Sequence, residues 1–188
     1  MAEVIFISDV YIKKYTQVND SVDPNFFYPS IYLAQDKYLL PYLGTNLFNR
    51  LKDDVESNTL AGDYKTLMDD YCLKVVLWWT MVDAYPYLTY KIDNGSLVQR
   101  VSEDTQPASD AVMKAMMDRA RQNAEYYTGL LIDYLCAKSN LFPEYSNNTH
   151  PQRSPIGIRK GDAHYIFSRG NYPTNVGFFG ERRLDQLP

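Results

Sequence analysis

Apolar side chains recur every three or four residues through most of the first 140 positions, the spacing that lines one face of an α-helix. Val4–Ile7 is a short extended apolar run. Ser8 then offers an N-cap, with Asp9 at the positive helix end, for a short helix to about Tyr15. Asn19–Asp23 reads as a turn, and Asp23-Pro24 pairs a capping carboxylate with a proline suited to the first helical position. The helix this predicts runs to about Tyr42 on a stripe of Phe27, Ile31, Ala34, Tyr38 and Tyr42, kinked or delayed by Pro29. Gly44 is the natural stop, and Thr45 can cap a helix over about 46–57 through Leu47, Phe48, Leu51 and Val55. A loop at Ser57–Asp63 precedes a long helix over about 63–90, with Tyr64, Leu67, Met68, Tyr71, Val75, Trp78, Val82 and Tyr85 in period and Pro86 kinking its last turn. Residues 91–107 are polar and read as a loop with room for an extended pair around Leu97–Val101. The last helix, about 107–139, carries Val112, Met116, Ala120, Asn123, Tyr127, Leu131, Tyr134 and Lys138 on its stripe, widened by Ala111, Ala124 and Leu135. At ~1.5 Å per residue it would be ~50 Å long. A compact chain of this length is only about 40 Å across, so this helix should cross the whole body or project from it.

The pattern changes near residue 140. Residues 141–188 hold five of the ten prolines, five of the nine glycines and seven aromatic residues, with no helical period. Short strand-like runs at Ile156–Arg159, His164–Phe167 and Val176–Phe179 are separated by Gly and Pro. Such a segment has too little continuous apolar surface for a core of its own, yet it lacks the aromatic-poor composition of a disordered linker. The fold class expected is therefore mainly α. Residues 1–140 form an antiparallel helical bundle with two long helices, and 141–188 form an extended C-terminal interaction arm that becomes ordered on something else.

Charge sharpens this division. The net charge of −4 comprises −6 in residues 1–140 and +2 in residues 141–188. A basic arm on an acidic body suits contact with nucleic acid or with the acidic body of a neighbouring copy. Two net charges are few for a sequence-independent DNA grip. Cys72 and Cys136 both fall among apolar neighbours in predicted helices, which predicts buried free thiols and a reducing compartment. The opening residues lack a basic region and a long apolar run, and no stretch approaches the ~20 apolar residues of a membrane span. A soluble protein made in a cytoplasm is the expectation.

Chemistry-bearing motifs are scarce. There is no phosphate-binding glycine loop, no dinucleotide fingerprint and no nucleophile elbow. The two histidines, His150 and His164, lie in the arm with Asp162 but lack metal-ligand spacing. The pairs Asp53-Asp54, Asp69-Asp70 and Glu103-Asp104 are adjacent in sequence, and on a helix neighbouring side chains diverge by about 100°. Asp83, just after Trp78-Trp79, is the one carboxylate placed for burial, and an ion pair with Arg119 or Arg121 is its expected role. Catalytic residues, cofactors and metals are thus expected to be absent. The two adjacent tryptophans cannot share one face. Trp79 is therefore a candidate contact residue, with Tyr145, Tyr165, Phe167, Arg169, Tyr172, Phe178, Phe179, Arg182 and Arg183. Aromatics mixed with arginine suit protein interfaces and also single-strand stacking.

Several segments together carry a family likeness. Phe6-Ile7-Ser8-Asp9-Val10-Tyr11-Ile12-Lys13-Lys14-Tyr15-Thr16 leads to Val22-Asp23-Pro24, then Ala34-Gln35-Asp36-Lys37-Tyr38, Pro41-Tyr42-Leu43-Gly44-Thr45 and Phe142-Pro143-Glu144-Tyr145. Over about residues 4–145 this resembles the head-to-tail adaptor, or ring, proteins of tailed phages, in the variety found in crAss-like and other Bacteroidetes phages. These motifs are helix boundaries and packing positions; none is catalytic. The resemblance implies a virion structural protein that forms a ring of twelve copies below the portal, extends the DNA channel and docks the tail. Its partners would be further copies of itself, the portal protein and other tail or ring proteins, with DNA passing through and no membrane contact. It would assemble in the host cytoplasm and end at the head–tail junction. The competing expectation is a nucleic-acid-binding module using the basic, aromatic arm.

Overall fold

The computed structural model describes residues 4–94, 96–99 and 109–147, and the chain over them is mainly helical. Ser8 caps the first helix, α1 (Asp9–Tyr15), by accepting a hydrogen bond from the Tyr11 amide. Asp23 likewise accepts from the Asn25 amide and opens a single 3₁₀ turn, Pro24–Phe26. The long helix expected from here is divided. It consists of α2 (Tyr28–Ala34), a π turn (Gln35–Leu39) and α3 (Leu40–Glu56), which is itself broken at Gly44. Next come α4 (Gly62–Thr66), a second π turn (Leu67–Cys72) and α5 (Leu73–Thr89), continuous and with Pro86 inside the last.

The π turns account for a difference from the expected stripe. A wider turn keeps residues four apart on one line, so the buried positions run Ile31, Gln35, Leu39, Leu43, Leu47 and Leu51. Tyr38 and Tyr42, expected in the core, are pushed to its flank and only half buried. The buried Gln35 side chain is fully used there. Its Oε1 accepts from the Phe6 amide at 2.7 Å and its Nε2 donates to the Val4 carbonyl at 3.1 Å. That clamp fixes the N-terminal extended run, whose Ile7 is buried and whose Phe6 ring meets Phe48 edge-on.

Residues 90–99 also depart from expectation. Instead of a loop with a pair near Leu97–Val101, β1 (Tyr90–Asp93) and β2 (Ser96–Gln99) form an antiparallel hairpin in which Tyr90 faces Gln99 and Asp93 faces Ser96. Asn94 sits at its turn with φ 46°. The Tyr90 hydroxyl donates to the Asp110 carboxylate, tying the hairpin base to the start of α6 (Asp110–Ala137). A 3₁₀ turn (Ser139–Leu141) and α7 (Pro143–Ser146) follow.

Helices α5 and α6 run antiparallel, since Tyr71 meets Tyr134, Trp79 meets Thr128 and Tyr90 meets Asp110. One core unites Ile7, Ile12, Phe27, Leu47, Val75, Met81, Leu131, Leu135 and Phe142. On α6 the core face is Ala120, Ala124, Thr128, Leu131 and Leu135. At about 100° per residue, this face is rotated by roughly 65° from the stripe expected from sequence. Val112 and Met116 are exposed in consequence, and no residue of Asp110–Arg119 is buried. The first third of α6 thus stands clear of the core.

Gly44 is buried with φ 75° and ψ 161°, a backbone conformation that side-chain-bearing residues scarcely adopt. Gly44→Ala should lower unfolding free energy by about 1–3 kcal/mol. Urea denaturation followed by circular dichroism measures this, with a shifted midpoint and an unchanged slope expected.

Candidate interaction surface

Each π turn places a tyrosine beside the core, and each tyrosine stacks flat on an aromatic ring of another element. Tyr38 lies parallel to Trp79 at 3.9 Å between ring centroids and 5° between planes. Tyr71 lies against Tyr134 at 4.2 Å and 19°. The Trp79 indole also donates to the Thr128 hydroxyl at 3.2 Å, and that hydroxyl in turn donates to the Ala124 carbonyl at 2.7 Å. Trp79 therefore uses both its face and its polar edge within the chain. Trp78 and Trp79 are both half buried against the core.

A charged rim surrounds the Tyr38–Trp79 stack. The Lys37 ammonium lies 4.6 Å from the centroid of the Tyr38 ring, a cation–π distance. Asp83 lies nearby with one carboxylate oxygen buried and unpartnered among the described residues. Burial raises the Asp83 pKa, and Lys37, a hydrogen bond with Tyr38 and the charge of Arg121 pull it back only in part. The expected ion pair with Arg119 or Arg121 does not form among the described residues. Arg121 acts on Asp83 at longer range, and the charge of Arg119 instead reaches Tyr85. A half-buried carboxylate flanked by two cations and a stacked indole makes a polar seam between the first π turn, α5 and α6.

The other end of the described chain is locked down. Tyr145 is 2% exposed and Phe142 is fully buried, so Tyr145 is a core residue and offers no contact surface. The Tyr64 hydroxyl donates to Glu144 at 2.7 Å, and burial together with that carboxylate pushes the phenol up to about 12. Asn46 donates to the Asn147 carbonyl, so α3 holds the last described residue. Cys72 is buried as expected, and burial pushes its thiol well up. Cys136 is exposed, contrary to expectation, because it falls outside the rotated core face of α6.

The remaining expected contact residues, Tyr165, Phe167, Arg169, Tyr172, Phe178, Phe179, Arg182 and Arg183, lie outside the described residues, as do His150, Asp162 and His164. Among the described residues, no three His, Cys, Asp or Glu side chains gather as a metal site, and no helix is long and apolar enough to cross a membrane.

A surface that periodicity in part assigned to the core, through Val112 and Met116, lies exposed along α6. Val112, Met116, Tyr126 and Leu130 are 49%, 43%, 63% and 37% exposed. Eighteen residues make about five turns, so Val112 and Leu130 share one line, with Met116 and Tyr126 within about 40° of it. This line stands roughly 120° from the core face, so α6 has a second apolar stripe that meets solvent. Asp133 is exposed beside it, about 60° round the helix. The signal was present in the sequence, since α6 carries more apolar positions than one buried face can use.

The chain belongs to a family of unknown function, DUF6712, whose match covers residues 39–155. That span takes in the end of the first π turn, α3, the α5–α6 pair and α7. No curated protein and no solved structure matches the chain.

A carboxyl whose pKa is raised by folding contributes stability that is complete below its ordinary value, here 3.8, and lost as pH rises through the folded value. Asp83→Asn should therefore melt higher than the parent at pH 7. The difference should vanish as pH falls below the ordinary carboxylate range. Thermal melts of both proteins between pH 3 and 8 give the comparison.

Proposed function

We propose that this protein is a structural subunit of a tailed-phage virion, a head-to-tail adaptor that forms a ring below the portal, prolongs the DNA channel and docks the tail. In this reading the helical body runs on through α7, whose Tyr145 and flanking Phe142 are core residues, and the sequence beyond residue 147 is the arm by which one copy engages its neighbours. Catalysis has no part in it. The carrying observation is the surface of α6, a helix whose second apolar stripe and unburied first third stand outside the chain's own core. Two exposed apolar pairs on one helix line, Val112 with Met116 and Tyr126 with Leu130, support a contact role for this face.

The chemistry of the described side chains supports the same reading. Tyr38 is engaged with Trp79, and Tyr134 with Tyr71 and Phe142, so these rings are used in internal packing. A ring joined head to tail needs two different patches on each copy and a rotation that closes. Ring closure lets individually weak contacts act together. The net −6 of residues 1–140 suits a conduit whose walls let DNA slide.

Negative-stain imaging of the purified protein, alone and with candidate portal rings, tests the proposal. Annular particles with a DNA-width opening, or added density on the portal, are expected. Protein that neither forms rings nor adds to any portal, yet binds DNA with a steep salt dependence, would replace the adaptor reading with a nucleic-acid module.

A further inference from the structure

The exposed stripe of α6 is symmetric along the helix. Val112 and Leu130 lie equally far from position 121, and so do Met116 and Tyr126. If two α6 helices cross antiparallel about that point, Val112 of each meets Leu130 of the other, and Met116 meets Tyr126. Each pair forms twice, as a two-fold contact requires. Arg119 then falls opposite Asn123, one turn from the Tyr126 ring, where it has an acceptor and a π face.

We infer that this face takes a second copy of the chain, paired antiparallel through α6 about a two-fold axis near residue 121. Three observations favour that occupant. Apolar residues meet apolar residues in either direction, but only the antiparallel register sets Arg119 opposite Asn123, whereas a parallel pair would set the two Arg119 charges against each other. Asp133 of each copy is carried next to the amino end of the other α6, where the helix dipole favours a carboxylate, and among the described residues it has no ion-pair partner. The unburied stretch Asp110–Arg119 is laid on the exposed side of the other copy's well-anchored 124–135 segment. The four side chains alone fall short of the ~800 Å² per partner of a standard interface, so the pair is reversible. A two-fold contact cannot close a head-to-tail ring. The pair is therefore a state of the free protein that must open before the same face can serve a ring, and it does not rest on the adaptor reading.

Sedimentation equilibrium of the full chain, from about 1 to 200 μM, should show the mass rising from one chain towards two, a range that brackets micromolar association. Tyr126→Glu, a change at an exposed position, should weaken pairing at least tenfold while leaving the helical signal intact. Register is read by cross-linking in a Cys136→Ser background with a thiol-reactive linker of about 10 Å, matched to packed helix separations. Val112→Cys/Leu130→Cys should give covalent dimers. Val112→Cys alone should not, because its two copies lie ~27 Å apart in the antiparallel pair. A single-chain mass throughout, pairing unaffected by Tyr126→Glu, or dimers from Val112→Cys alone would each overturn the inference.

Discussion

The close contact between α5 and α6 is the constraint from which the other features follow. The first two turns of the core face of α6 are small residues, Ala120, Ala124 and Thr128, before it widens to Leu131 and Leu135. Small side chains let the bulky α5 approach, and α5 buries Val75, Val76, Leu77, Met81 and Val82. Thr128 satisfies its own hydroxyl on the Ala124 carbonyl and still accepts from Trp79, so a polar residue sits in this contact without an unmet hydrogen-bonding demand. Once α6 is held by that face, its opposite side has no partner within the described chain.

The two π turns are the second organising device. Each inserts a wide turn into an otherwise continuous helix, keeps the leucine and methionine line on the core, and moves a tyrosine to the flank. Tyr38 and Tyr71 then stack on Trp79 and Tyr134, joining the first half of the chain to α5 and α6. Aromatic pairs of this kind add about 0.5–1.5 kcal/mol beyond burial. The first π turn also holds Gln35, whose amide fixes the N-terminal run. One local distortion therefore serves both an extended segment and an aromatic seam.

Asp83 is perturbed by burial, but its surroundings are a stacked indole, a tyrosine hydroxyl and two cations. Among the described residues, α6 carries an exposed apolar line of Val112, Met116, Tyr126 and Leu130. The family match over residues 39–155 contains that surface in full.

Much of the local structure was determined by sequence because it rests on short-range chemistry. Ser8 and Asp23 cap where their side chains predict, and Gly44 breaks the chain where only glycine fits. The hairpin was only partly legible, since the strands Tyr90–Asp93 and Ser96–Gln99 lie earlier in the chain than the Leu97–Val101 pair expected. Tertiary structure alone decided which of two apolar faces of α6 is buried. Both satisfy helical periodicity, and the choice depends on which one offers α5 small enough side chains to pack against. It likewise decided that Tyr145 belongs to the core, that Cys136 faces solvent and that Asp83 has no direct ion pair among the described residues. Each of those outcomes is set by how far apart packed helices hold their side chains, a distance that no spacing along the chain contains.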